Sequence, residues 1–282
     1  MPLLLLTSLL WAFSFGLTKR LTGLDAAFIS FARLSLALLV FLPFLRLKAV
    51  PSRTRWMLLG IGALQFGLMY LAYNESYRML KSAEVALFTL TTPVLVTLVA
   101  DAFDRRLRGQ GLLAAMLSVA GGACIVFRTT AVEGTLVGVA LVQFANLTFA
   151  LGQVLYRRVR PTFAGTKDVE VFGLLYAGAV AVVLPASLLR TDFAALSVGP
   201  VQTGILVYLG VVASGLGFFL WNRGATQVSP GTLAAMNNAK VPLAVASSLL
   251  LFGEQVDLPR LLLGGAVLAV AVWLAQRKPT RT

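Results

Sequence analysis

Lys240 is the only charged residue in the run Gly231–Phe252, and it lies near the middle of that run. A charge at membrane depth costs about 2.5–3.5 kcal/mol on insertion scales, so it needs a partner or a wet cavity. The chemistry it offers is a cation that can hold the carboxylate of a bound small molecule. The plainer alternative is a structural lysine in a buried ion pair, and intramembrane charges more often mark a cargo or ion path. Asn237, three residues earlier on the same helical face, extends that polar wall, whereas Asn238 is rotated away from it. Gln143, Asn146 and Gln153 share one face of Leu136–Tyr156. Amides facing lipid are expensive, so this face looks inward, either lining a cavity or tying helices at about 0.6 kcal/mol per contact.

Trp11 and Ser14 fall on one face of the first apolar run with Thr7, and Phe218 and Trp221 on one face of the eighth with Ser214. Their rings suit stacking on a cargo, and Trp221 equally suits anchoring at an interface. Thr91 is the first-half counterpart of Lys240. Pro93 and Pro242 each follow within two residues and remove a backbone donor, which bends a helix or frees carbonyls toward a cavity. Arg33 and Glu84 carry opposite charges and read as a structural or gating pair, about two helical turns apart in depth. Glu84 is a weaker candidate for a proton carrier, and the coupling ion is left open.

Other chemistries lack material. The chain has no histidine and one cysteine, Cys124, which argues against a His/Cys metal site and excludes an intramolecular disulfide. No Gly-rich phosphate loop or nucleophile elbow is present. No cofactor is implied, and the reading is not that of an enzyme.

The elements that must position these residues are membrane helices. Hydrophobic residues make up 58% of the 282 and charged residues 12%, against about 25% charged in a soluble domain. Ten segments come near or within the ~17–25 residues a span needs: Leu3–Leu17, Ala26–Leu45, Trp56–Tyr73, Ala83–Ala102, Gly111–Phe127, Leu136–Tyr156, Val169–Leu189, Thr203–Asn222, Gly231–Phe252 and Leu258–Ala275. Leu3–Leu17 lacks a basic leader and a cleavage site, so it reads as the first span. Brief polar connectors leave one membrane domain. Ala114, Ser118 and Gly122, and Gly265 and Ala269, form small-residue seams for close packing.

The net charge of +13 sits in short clusters between apolar runs rather than on one polar face, which excludes a nucleic-acid partner. One set of connectors holds Arg46, Lys48, Arg53, Arg55, Arg105, Arg106, Arg108, Arg157, Arg158, Arg160, Lys167 and Arg223, with Arg277, Lys278 and Arg281 in the tail. The other set holds Lys19, Arg20, Arg78, Lys81, Arg128, Arg190 and Arg260. The bias places both termini in the cytoplasm. Leu209-Gly210 aligns with Leu59-Gly60 and, with one residue of slippage, Pro242 with Pro93. Units of five helices are odd in number, so the second copy is inverted, and the expected cargo site lies at midplane between the halves, residues 1–130 and 131–282.

Several local patterns then resemble the drug/metabolite transporter superfamily, specifically the EamA-type ten-helix exporters. Leu10-Trp11-Ala12-Phe13-Ser14-Phe15 resembles the first-helix pattern. Ser82-Ala83-Glu84-Val85-Ala86-Leu87 leading to Thr91-Thr92-Pro93, and Ser229-Pro230-Gly231-Thr232-Leu233 leading to Lys240-Val241-Pro242, resemble the fourth helix of each repeat. Phe252-Gly253-Glu254 with Leu263-Gly264-Gly265 resembles the end of the second repeat, while Asp104-Arg105 stands where the first often has Gly-Glu. The resemblance spans essentially the whole chain. It implies an all-α inner-membrane protein of two inverted five-helix repeats around a central cavity, exporting amino acids or related metabolites. Helix 1 lacks the acid of proton-coupled multidrug relatives, against a lipophilic-cation cargo. The alternatives are a nucleotide-sugar or drug carrier of the same fold, a lipid enzyme, or a scaffold.

Overall fold

The computed structural model of the protein describes residues 1–18, 20, 21, 23–126, 135–252 and 257–277. Lys19, Arg128, Gly253, Glu254, Lys278 and Arg281, used above in the charge count and one motif, lie outside them. The described residues are helical and contain no strand.

Helices α1 (Pro2–Thr18), α2 (Ala26–Phe41) and α3 (Ser52–Ser76) open the chain. Helix α4 is split into α4a (Ser82–Thr89) and α4b (Thr92–Asp104), followed by α5 (Gly109–Val126). The second half begins with α6 (Leu136–Val159), α7 (Val169–Arg190) and α8 (Pro200–Ala225). It ends with a second split helix, α9a (Pro230–Met236) and α9b (Lys240–Phe252), and α10 (Leu258–Gln276). Eight stretches among the described residues are long and apolar enough to cross a bilayer, and α1 and the split α9 complete the ten apolar segments. Capping sets several starts: Asp25 accepts from Ala27 and Phe28, and Ser229 from Thr232.

The two prolines do not kink continuous helices. Pro93 is the second residue of α4b and Pro242 the third of α9b, so each lies in the first turn of a restarted helix. There the missing N–H has no helical partner to lose. The third and eighth helices share another irregularity, π-helical turns over Ala63–Leu68 in α3 and Tyr208–Leu216 in α8. Such turns widen a helix and re-aim its side chains.

Large apolar side chains such as Leu39, Leu113, Leu188 and Leu262 face outward, as a lipid surface requires, while the interior is aromatic. Phe66 stacks on Tyr176 and Phe218 at centroid distances of 5.4 and 4.6 Å. Helices α3 and α7 cross where a Cβ on Gly62 would stand 1.8 Å from the Leu175 carbonyl, so only glycine allows the contact. Helices α5 and α10 pack through Ala114 and Gly121 on one side, while Ser118 of α5 donates to the Ala235 carbonyl of α9a and Gly122 faces Leu90. On α10 the contact runs through Gly264, Leu268, Ala271 and Ala275. Gly265 and Ala269, expected in that seam, lie on the neighbouring face: Gly265 meets nothing and Ala269 is exposed.

Candidate functional site: a cationic cavity over an aromatic floor

Near the middle of the bundle lies a cavity of about 110 Å³. That is large beside the ~10–15 Å³ that admits one water. Its floor is Trp11, Phe149 and Phe218. Trp11 packs edge-on against the other two at 6.2 and 5.2 Å, and Trp221 lies against Trp11 at 5.1 Å. The Trp11 indole donates to the Ala213 carbonyl at 2.8 Å, which locks the ring to the π turn of α8. The walls carry Ser14, Thr18, Thr89, Thr92, Asn146, Tyr70, Tyr73 and Tyr77. Thr18 ends α1 and Tyr77 follows α3, so the cavity extends from mid-depth toward the face opposite the termini.

Two cations line this space, and among the described residues no acid does. Lys240 is the first residue of α9b, so the ammonium and the positive end of that helix occupy the same region. Its Nζ lies 5.7 Å from the Trp11 ring centroid and has no hydrogen-bond or ion-pair partner among the described residues. The guanidinium of Arg33 donates through Nε to Ser214 Oγ at 3.2 Å and through one Nη to Tyr70 Oη at 2.6 Å. Tyr70 and Ser214 also share a hydrogen bond of 2.9 Å.

Arg33 and Glu84 do not form the pair read from the sequence. Glu84 instead accepts from the Lys81 backbone N–H and closes a capping box at the start of α4a. Their separation in depth lets the nearer hydroxyls claim the guanidinium.

The other expected residues divide between the cavity wall and its support. Trp11, Ser14, Asn146, Phe218 and Lys240 line the space, whereas Thr91, Gln143, Gln153, Asn237 and Trp221 stand behind it. The support has a definite task. Where α4a stops, the Phe88 carbonyl loses its helical partner and accepts from Gln143 at 3.2 Å, Asn146 at 2.9 Å and Thr91 at 2.9 Å. Leu90, the next freed carbonyl, accepts from Asn238 at 3.0 Å, so the side chain expected to turn away ties the two helix breaks together. Gln153 is fully buried and accepts from Trp221 at 3.0 Å and from Asn237 at 3.4 Å, fixing the floor from below. Of the α6 amides, only Asn146 reaches the space, and its Oδ1 has no partner among the described residues.

Sequence reasoning missed Tyr70, Tyr73 and Tyr77. Their i, i+3, i+7 spacing marks one helical face, which is the signal that finds them.

Toward the face carrying the termini the bundle is closed by charge pairs. Arg108 binds Asp101 at 2.8 Å and also Asp104, which in turn binds Arg158 of α6 at 2.5 Å. Arg157 donates to the Val228 carbonyl in the α8–α9 turn, and Gln110 of α5 to the Leu274 carbonyl of α10 at 2.7 Å. Asp104 and, less strongly, Asp101 hold the Arg108 guanidinium above its ordinary value. No group of three or more metal-ligating side chains occurs among the described residues.

A membrane-spanning helical bundle with two broken helices and a polar cavity at mid-depth has the architecture of a transporter rather than an enzyme. Residues 1–127 and 135–276 match the EamA-like transporter family, and the chain belongs to that family. It is 44% identical to a Pseudomonas aeruginosa protein named "Probable biotin transporter", over 97% of this chain and 96% of that one. It is 40% identical to a "Biotin transporter" of Salmonella typhimurium over 98% of this chain and 93% of that one. The match to a "Biotin transporter" of Escherichia coli is 38% identical, with the same coverage. A solved crystal structure shares the fold, at a TM-score of 0.79 and 16% identity over 97% of this chain and 95% of that one.

Proposed function

We propose that the protein carries biotin across the bacterial cytoplasmic membrane by alternating access between two inverted five-helix halves, residues 1–130 and 131–282. The observation that carries this reading is Lys240, a cation in the cavity wall with no hydrogen-bond or ion-pair partner among the described residues, at the start of a half-helix near midplane. A carboxylate there meets an ammonium and a helix N-terminus together, the arrangement that broken transporter helices use for anionic cargo. The names of the relatives supply the particular carboxylate.

An amino acid was the expectation from the sequence. Its ammonium group needs an anion or several acceptors, and no described acid lines the cavity. Biotin carries no cation, and its apolar body suits the ring floor of Trp11, Phe149 and Phe218.

Several features support the inverted halves. The third helix of each has a π segment, the fourth of each is broken ahead of a proline, and the family match falls in two stretches. The excess of basic residues on the termini face supports a cytoplasmic location for both ends. The conformation is then open toward the periplasm and closed by the Asp104–Arg158 network.

The test is saturable flux of labelled biotin in proteoliposomes. Stripping one member from a buried charge pair costs about 2–5 kcal/mol, so Lys240→Gln at equal protein should lower biotin flux about 30-fold or more. Unchanged flux in that variant overturns the role of Lys240. Flux of other carboxylates without biotin overturns the cargo.

A further inference from the structure

We infer that Arg33, held by Tyr70 and Ser214, is the second pole of the cargo site and receives the ureido oxygen of biotin, opposite the carboxylate at Lys240. This rests on the proposed cargo and adds the residue that selects its other end.

The starting point is an unfinished donor count. A guanidinium has five N–H groups, and in Arg33 the protein takes one through Ser214 Oγ and one through Tyr70 Oη. The remaining N–H groups have no partner among the described residues, although Arg33 is only 6% exposed and lines the cavity. A buried cation with spare donors and no acid beside it calls for an acceptor from outside the protein.

Geometry gives the acceptor's place on the cargo. From Lys240 the wall runs through Trp11 to Phe218, whose ring meets Tyr70 at 5.9 Å, and Tyr70 holds Arg33. An apolar floor two rings across therefore separates two cationic poles. A ligand filling it has an oxygen-bearing group at each end and an apolar body between, with a carboxylate at one pole. Biotin has this layout, a carboxylate on an aliphatic arm and a ureido carbonyl at the far side of a fused ring. A carbonyl oxygen accepts two N–H bonds, which a guanidinium with two donors already fixed is oriented to give. The Tyr70 and Ser214 hydroxyls are positioning groups. They hold the fork, and Tyr70 stacks on it at 4.6 Å.

The experiment compares competition by three ligands against labelled biotin in the full-length protein. One is biotin itself. The second is its methyl ester, which lacks the carboxylate. The third is the analogue with an imino nitrogen in place of the ureido oxygen, which is cationic at neutral pH. Wild type is expected to disfavour both analogues, each by about tenfold or more, the usual worth of a charge-assisted bond. In Arg33→Gln the penalty on the imino analogue should fall to within about threefold while the ester penalty stays. Lys240→Gln should show the reverse. Arg33→Lys keeps the charge without the fork and should lie between. Each ratio is measured within one variant, so it does not depend on expression. Arg33→Gln that still rejects the imino analogue fully, or that erases the ester penalty instead, overturns the assignment. Wild type that binds the ester and the imino analogue as well as biotin overturns it too, whereas wild type that binds no biotin overturns the proposed cargo itself.

Discussion

At the end of the bundle away from the termini, Arg33 and Lys240 border open space with donors to spare. At the end carrying the termini, Asp101 and Asp104 of α4b, Arg108 of the connector that follows and Arg158 of α6 bond to one another. The residue types are similar and their states opposite. Charges that hold helices together are satisfied by the protein, and the charges proposed to hold cargo are left with donors free among the described residues. The floor of Trp11, Phe149 and Phe218, backed by Trp221 and Gln153, separates the two regimes. Under the proposed alternating access this arrangement reverses, which requires the paired end to be a seal of limited strength.

The largest expected effect tests the asymmetry itself. With Cys124→Ser removing the native thiol, Ser14→Cys places a thiol in the cavity and Ala225→Cys one beneath the floor, where the residue is fully buried. If the alternative conformation is populated at about 0.1–10%, a polar thiol reagent should label the Ser14→Cys thiol about ten- to a thousandfold faster. Equal rates would break the comparison, because neither end would then be closed.

A smaller effect sharpens it. Asp104→Asn removes the charge shared by Arg108 and Arg158. These side chains are partly exposed, and such pairs are worth about 0.2–1 kcal/mol each. Labelling of the Ala225→Cys thiol should therefore rise several-fold in Asp104→Asn, with biotin binding nearly unchanged. No rise would mean that helix packing, not the charge network, keeps this end shut.

The membrane class, the spans and the inward placement of Lys240 were legible because each depends on residue type along one helix. A charge in an apolar run and a 20-residue hydrophobic period both survive without tertiary information. What was not legible depends on which partner a side chain finds. Gln143 and Asn237 look like cargo ligands by spacing, but helix breaks create carbonyls that must be satisfied, and neighbouring amides satisfy them. The breaks were visible only as prolines, and proline marks the start of a new helix as readily as a kink. Arg33 was read against the one acid of suitable charge, Glu84. The π turn in α8 that delivers Ser214 to its guanidinium has no sequence signature of its own.

The smallest expected effect concerns a group that breaks the rule of the paired end. Gln65 lies in the π turn of α3, fully buried, with α6 so close that a Cβ on Gly152 would stand 2.1 Å from the Gln65 Cβ. Neither amide atom has a partner among the described residues, and a buried unpaired polar group costs about 1–3 kcal/mol. That cost is explained if the amide is used when the seal opens and α6 moves off α3, so that Gln65 faces the cargo path. Gln65→Met keeps the volume and removes the penalty, so the melting temperature should rise by a few degrees, as about 1 kcal/mol does in a chain of this size. Biotin binding from the open face should hold while flux falls, since only the alternate state loses its polar contact. A melting temperature that rises with flux intact would make Gln65 a packing defect, and its unpaired amide would then not be a group reserved for the other conformation.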